Sequence, residues 1–499
     1  MKSASRATVI LIAIALARLL VHALTNSQYG FHRDELATLD DAHYLAWGYV
    51  AYPPLTPFIG RLALELFGLS VAGVRFFGAL AQCAALVFTG LMVREMGGRT
   101  WAQAVAALAV AVAPVSILWG ALFQYTTFDY LWWVLAAYFV ALLVRSDDPR
   151  WWLGIGVAVG LGMMTRYTMA FLAAGITGGV LLTPARRYLR SRWLWAGVTA
   201  SLLIFLPNLV WQIRHDWIVF DFLRYLHARD VRIGRTDDFL RNQFLVPANI
   251  FTVPLWAAGL WFYFATPTGR RFRLLGWMFA IPFALFAIGK GRDYYTAGSY
   301  PILLAGGAVW AEQWIAGLAA RRARLIRGAV WSTLVMGTAM GMILVPFGSV
   351  NSWWWNHVAS QLDDFREEVG WPDLAEAVAR VRDQLPAEER AGVGILAGNY
   401  GEAGAINMFG PARGLPTAIS GVNSYWERGY GEPAPRTLIV LGLSRSTADQ
   451  HFAACEGAGR VTNRYGVRNE ESQRHPEIFV CRSLRKPWPE FWKDLRSYS

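Results

Sequence analysis

Residues 29–57 carry a dense cluster of side chains able to do chemistry. Asp34 and Glu35 stand side by side, with His32 and Arg33 before them and Asp40, Asp41 and His43 after. Aromatic residues interleave them, and Pro53-Pro54-Leu55 follows. A carboxylate in such a setting can orient an acceptor nucleophile or take its proton. His32, Asp34 and His43 also form a candidate set for a divalent metal ion, although their spacing fixes no ligand geometry. The cluster directly follows an apolar run over Ala7–Leu24. Charge beside hydrocarbon is costly, so its presence there points to a functional site.

The elements that must position this cluster are set by hydropathy. The 499 residues are 55% hydrophobic and only 16% charged, with a mean hydropathy of +0.30. Several apolar runs reach the roughly 20 residues needed to cross a bilayer, which argues against a soluble enzyme. After Ala7–Leu24, candidate spans are Val71–Val93, Trp101–Ala121, Tyr130–Leu143, Trp152–Met164, Ala170–Leu182, Trp193–Trp211, Gln243–Phe264, Phe272–Ile288, Ser299–Leu318 and Ala329–Phe347. The count is about eleven. The two near 152–182 are short, with Arg166 and Tyr167 between them, and read as half-depth helices meeting at a cavity. Arg18 lies inside the first span, where it either snorkels to the interface or pairs with the first loop.

Orientation follows from arginine and lysine placement. Lys2 and Arg6, Arg94 and Arg99, Arg145 and Arg150, the cluster Arg186 to Arg192, Arg270 to Arg273, and Arg321 to Arg327 fall on one side if eleven spans alternate. That side is expected to be cytoplasmic. The net charge of +12 comes largely from these loops and requires no nucleic-acid partner. The opposite face then holds residues 25–70, 122–129, 165–169, 212–242, 289–298 and the tail. The loop at 212–242 is outside yet carries Arg214, Arg224, Arg229, Arg232, Arg235 and Arg241. It is either a solvated surface or a basic funnel for anionic lipid head groups.

Past about Gly348 the composition gains charge, glycine and turn residues. Asp373–Leu385 has helical spacing, and Asp449–Cys455 is a second candidate helix. Val393–Leu396, Leu438–Leu441 and Ile478–Cys481 read as short buried strands. The expected organisation is a membrane domain over 1–349 and an α/β domain over 350–499. Cys455 and Cys481 lie in the tail and Cys83 in a span. An outside location permits a Cys455–Cys481 disulfide. Two polar-aromatic stretches, 398–405 and 423–429, could stack on a sugar ring or serve as core and turn packing.

Several segments, taken in order, resemble glycosyltransferase family 39, the bacterial group with protein O-mannosyltransferases and lipid A aminoarabinose transferases. Asp34-Glu35 resembles the family's first-loop acidic motif, whose Asp is catalytic. Val74-Arg75-Phe76-Phe77-Gly78-Ala79-Leu80 is similar to the second-span segment with its arginine. Phe128-Asp129-Tyr130-Leu131 resembles the second acidic position. Gly160-Leu161-Gly162-Met163-Met164-Thr165-Arg166-Tyr167 is similar to a segment in which relatives mostly have Lys at the position of Arg166. Lys290-Gly291-Arg292-Asp293-Tyr294-Tyr295, with Tyr300-Pro301 after it, resembles a Lys-x-x-Tyr-Tyr…Pro-x-Leu segment. The resemblance spans most of residues 10–310.

It implies an all-α polytopic membrane protein of GT-C type with a C-terminal α/β domain in the periplasm, set in a bacterial inner membrane. It implies a polyprenyl-phosphate-linked sugar donor and a lipid, glycan or protein acceptor. Asp34, Glu35 and Asp129 are the catalytic candidates. Arg75, Arg166, Lys290, Tyr294 and Tyr295 are the candidates for the donor phosphate. A transporter or lipid flippase is the alternative, because charges in the membrane and broken helices also suit that class. Against it, the charges gather on one face and the two halves show no internal repeat.

Overall fold

The computed structural model describes residues 2–499, with side chains from Arg6 onward. The side chain of Lys2, used above for orientation, lies outside the described residues. Helix α1 (Lys2–Thr25) leads into the first loop, which folds into α2 (Arg33–Asp41) and α3 (Leu55–Phe67). There follow α4 (Val71–Glu95), α5 (Thr100–Ala111), α6 (Pro114–Gly120), α7 (Tyr125–Ser146), α8 (Trp151–Met163), α9 (Met169–Leu181), α10 (Arg192–Arg214) and α11 (Ile218–Arg232). The apolar series ends with α12 (Val253–Ala265), α13 (Arg273–Ile288), α14 (Tyr300–Ala316) and α15 (Ala320–Gly341).

Each of the eleven apolar segments lies on helix, but by length and composition five helices suffice to cross a membrane. The number rises to seven if two bent pairs each count as one span. One pair is α5 and α6, bent by 67°. Pro114 has no amide hydrogen and cannot continue α5, so the ladder breaks before it. Backbone groups freed inside an apolar layer need other partners. Arg18 supplies them: its guanidinium donates to the Ala111 carbonyl at 3.2 Å and to the Ser116 carbonyl. Arg18 thus points inward to this break and neither snorkels nor meets the first loop.

Two other segments begin elsewhere than hydropathy places them. The stretch read as Gln243–Phe264 becomes regular helix only at Val253, after Pro247 and a 3-10 turn at Ile250–Thr252. The last begins at Ala320 rather than Ala329, so Arg321, Arg322, Arg324 and Arg327 ride on α15 itself.

The tail forms α16 (Trp371–Asp383), β1 (Gly394–Ala397), α17 (Tyr400–Phe409), β2 (Ala418–Ile419), β3 (Thr437–Leu441), α18 (Arg445–His451), β4 (Phe452–Arg460) and β5 (Glu477–Leu484). The sheet order is β2-β1-β3-β5-β4, with β1 parallel to β2 and β3, and β5 antiparallel to β3 and β4. The helix expected over 449–455 instead ends at His451. Cys455 lies in β4 opposite Cys481 of β5, and the two form a disulfide with Cα atoms 4.1 Å apart.

The tail does not keep its core to itself. Phe31, Leu36 and Leu39 of the first loop share one buried cluster with Trp371, Leu374, Val378 and Ile406. Helix α17 lies almost backbone to backbone on α2. A Cβ at Gly404 would sit 2.9 Å from the Leu36 carbonyl carbon, and one at Gly401 would sit 2.9 Å from the Arg33 Cβ. The boundary expected at residue 349 therefore divides the chain but not this core.

Candidate active site

The site grows from the first turn of α2. Four amides at a helix start lack partners within the helix. Here a capping box satisfies two of them: His32 Nδ1 accepts from the Asp34 amide at 3.2 Å, and Glu35 Oε2 accepts from the His32 amide at 2.7 Å. The cap commits His32 and Glu35 to structure and leaves Asp34 facing outward.

Glu35 is wholly buried. Arg75 grips it with two donors, Nε to Oε1 at 2.9 Å and Nη2 to Oε2 at 2.6 Å, and the Phe123 amide donates to it at 2.7 Å. Arg75, equally buried, also donates to the carbonyls of Asn26 (2.8 Å) and Gly30 (3.0 Å) and to Glu368 (3.2 Å). These two residues, candidates for catalysis and for phosphate, instead form the floor that ties the first loop to α4 and to the tail. One guanidinium serves two carboxylates there. Glu368 is the less well neutralised, and burial pushes it up to about 8.

Asp34 differs in every respect. Its side chain is 40% exposed. The Tyr400 hydroxyl donates to Oδ1 at 2.8 Å and the Gln124 side-chain amide to Oδ2 at 3.1 Å. It lies on the wall of a cavity of about 1010 Å³. Tyr125, Arg292 and Tyr294 line the same cavity, as do Arg229, Arg232 and Arg235 at the end of α11 and just beyond it. Three arginines of the basic segment 212–242 thus face the same space as Asp34. The Arg292 guanidinium is held by Asp230 at 2.5 and 3.0 Å and donates to the Tyr294 hydroxyl at 2.8 Å.

The other candidates divide. Arg166, between α8 and α9, is buried behind this wall. Its guanidinium stacks within 4.6 Å of the Tyr295 ring centre, 5.3 Å of Tyr125 and 5.6 Å of Tyr294, and it pairs with Asp129 at 3.6 Å. Asp129 also accepts from Trp133 (3.1 Å) and Thr168 (3.0 Å), so its oxygens are engaged and it does not line the cavity. Lys290 is exposed, with a left-handed φ of 49°, and is not among the lining residues. Arg292, two positions along the same motif, lines it instead.

The residues proposed for a metal do not fit one. His32 and His43 lie beyond opposite ends of the nine-residue α2, which is itself roughly 13 Å long at 1.5 Å per residue. His32 Nδ1 is taken by the cap. Among the described residues, no three of His, Cys, Asp or Glu gather where they could share an ion.

Tyr400 and Gln124 were not singled out as site residues by the sequence. Tyr400 lies in one of the two polar-aromatic stretches of the tail, which gave a signal of stacking chemistry but none of position. The second stretch makes another tie to the first loop. Arg428 pairs with Asp40 at 2.7 Å and with Asp41, and stacks 4.3 Å from the Tyr44 ring centre.

The buried carboxylates give the tail's docking a pH dependence. Burial pushes Glu402 to about 7 and Glu368 to about 8, from an ordinary 4.5, and raises Glu471 as well. The folded protein then holds more protons than the unfolded chain between those values. Stability from these groups is present below about pH 4.5 and is lost as pH rises through 7 and 8. The melting temperature should fall between about pH 5 and pH 9, and Glu368→Gln should flatten that slope. A wild-type melting temperature independent of pH across this range would refute the assignment.

Residues 51–211 match the family model described as dolichyl-phosphate-mannose-protein mannosyltransferase. The structure of ArnT from Cupriavidus metallidurans bound to undecaprenyl phosphate superposes with a TM-score of 0.57, covering 95% of this chain and 97% of that one at 16% identity. The chain has the GT-C glycosyltransferase fold. The same GT-C protein in its apo state gives a TM-score of 0.59 at 15% identity. The oligosaccharyltransferase of Archaeoglobus fulgidus, in its complex with Zn and sulfate, gives 0.56 at 14% identity over 86% of this chain and 67% of that one. At these identities the likeness is one of fold. The lipid A galacturonosyltransferase of Rhizobium johnstonii is 29% identical over 243 residues, 44% of this chain and 48% of that protein. In that match the chain spans about half the length of its curated relative.

Proposed function

We propose that this protein is an inverting glycosyltransferase. It takes a sugar from a polyprenyl-phosphate donor and passes it to an acceptor at the outer face of a bacterial inner membrane. The observation that carries the reading is the exposed Asp34 carboxylate on the wall of a large arginine-lined cavity. The likeness to a structure with bound undecaprenyl phosphate supports the donor class. The name of the curated relative supports a lipid-linked acceptor, though a glycan or protein would meet the same chemistry.

Asp34 accepts a hydrogen bond from the acceptor's hydroxyl or amine and takes its proton as the nucleophile attacks the anomeric carbon. The bond from that carbon to the phosphate oxygen breaks on the opposite face, which inverts configuration. The departing lipid phosphate meets Arg292 and Tyr294, with Arg166 behind them, and these offset its charge. The arginines of α11 and its C-terminal turn widen the basic entrance for anionic head groups. Residues 1–349 serve as the membrane domain and 350–499 as an outer domain in this reading.

Transfer of radiolabel from a panel of undecaprenyl-phosphate sugars, with membrane lipid, oligosaccharide and protein acceptors, tests it. Turnover of one donor supports the reading, and no transfer from any donor by folded protein counts against it. The entrance has its own test. Arg232 and Arg235 are exposed, so removing both should leave the fold intact. At about 0.5–1 kcal/mol for each exposed charge, Arg232→Ala with Arg235→Ala should raise the donor KM about 5- to 30-fold at low salt and less at high salt. Lys290→Ala, outside the cavity, should leave KM unchanged. The opposite ranking would move the donor site away from Arg232 and Arg235.

A further inference from the structure

We propose that Tyr400, a residue of the C-terminal domain, is the positioning residue that orients Asp34 for transfer. The inference rests on the reading of Asp34 given above. Asp34 is 366 residues away in sequence, yet the Tyr400 hydroxyl donates to its Oδ1 at 2.8 Å while Gln124 donates to Oδ2 at 3.1 Å. One donor on each oxygen stops the carboxylate from rotating about its terminal torsion, which is otherwise broad. The remaining lone pairs are left for the acceptor. Holding a reacting group in one orientation is a large source of rate in enzymes.

The fold fixes Tyr400 as firmly as it fixes Asp34. Tyr400 is the first residue of α17, whose start is closed by a capping box: Asn399 accepts from the Glu402 amide at 2.9 Å, and Glu402 accepts from the Asn399 amide at 3.3 Å. Glu402 also accepts from the Gly398 amide at 3.1 Å. The small residues Gly401 and Gly404 let α17 approach α2. The Arg33 guanidinium stacks 5.2 Å from the Tyr400 ring centre and is itself held by Glu470 and by Glu471 at 3.3 Å. Burial, with Asp34 beside it, pushes the Tyr400 phenol well above its ordinary range, so it stays protonated and serves as a donor. The membrane domain provides the carboxylate and the tail provides its orientation.

The test compares four full-length proteins in detergent: wild type, Tyr400→Phe, Asp34→Asn and the double variant. Phenylalanine keeps the ring under Arg33 and removes only the hydroxyl. With a radiolabelled undecaprenyl-phosphate sugar, Tyr400→Phe is expected to lower kcat about tenfold and leave the donor KM within about twofold, as for loss of one hydrogen bond to a charged group. In the Asp34→Asn background the same change should cost nothing further. A merely structural tyrosine would lower both backgrounds alike. Thermal unfolding of wild type, Tyr400→Phe, Asp34→Ala and the variant with both changes reads the bond without any substrate, because alanine leaves Tyr400 no acceptor, and the two single shifts should not add. Unchanged kcat in Tyr400→Phe, an equal further loss in the Asp34→Asn background, or additive thermal shifts would each overturn the proposal. Full activity of Asp34→Asn would instead overturn the role given to Asp34, and the thermal cycle would still decide the hydrogen bond.

Discussion

Asp34→Asn is expected to give a folded protein that still binds donor and transfers sugar about 10²–10⁴-fold more slowly. Asparagine keeps the shape of the side chain and can still accept from Tyr400 or Gln124. It cannot take a proton, and its amide group would present a donor where the acceptor needs a base. The side chain is partly exposed and lies outside the buried floor, so the loss should appear in kcat with little change in melting temperature. Asp129→Asn should be impaired less, because Asp129 stands behind the cavity wall, where it holds Arg166, Trp133 and Thr168. If Asp34→Asn keeps more than about a tenth of wild-type turnover, far above the range for a lost acid or base, the mechanism proposed here is wrong.

The neighbouring residue should behave in the opposite way. Glu35→Ala is expected to cost about 3–5 kcal/mol of stability, because it leaves the Arg75 charge buried and half paired. It also orphans the Phe123 amide and opens the cap of α2 at the His32 amide. The result should be poor yield and a large drop in melting temperature, with activity lost through folding. Arg75→Ala should be as severe, since it strands Glu35 and Glu368 together. Thermal unfolding of detergent-purified protein measures both. A Glu35→Ala protein with wild-type melting temperature and no activity would return Glu35 to the catalytic residues.

These two adjacent carboxylates show where a sequence stops. Hydropathy is a local property, so the apolar segments were legible, and all eleven fall on helix. The cost of charge beside hydrocarbon is also local, which is why the first loop stands out as a candidate site from its residues and its ordered companions. Helix ends were less legible. The first turns of α15 carry four exposed arginines, which hydropathy discounts.

Which carboxylate faces the cavity was a matter of tertiary structure. Asp34 and Glu35 are one residue apart, and a helix turns about 100° between them. That rotation means nothing until it is known that Arg75, 40 residues on, waits on one side and Tyr400, 366 residues on, waits on the other. The same holds for the donor side. Lys290 and Arg292 lie in one motif, yet a left-handed turn at Lys290 and the grip of Asp230 on Arg292 leave only the second at the cavity. The sequence by itself determined the apolar helical segments and the loop in which the charged and aromatic cluster lies, because each depends on residues close together in the chain. The division of that loop into a partly exposed carboxylate on the cavity wall and a buried anchor was decided only by the tertiary structure. Partners from α4, from the start of α7 and from the tail set that division, and no local pattern brings them together.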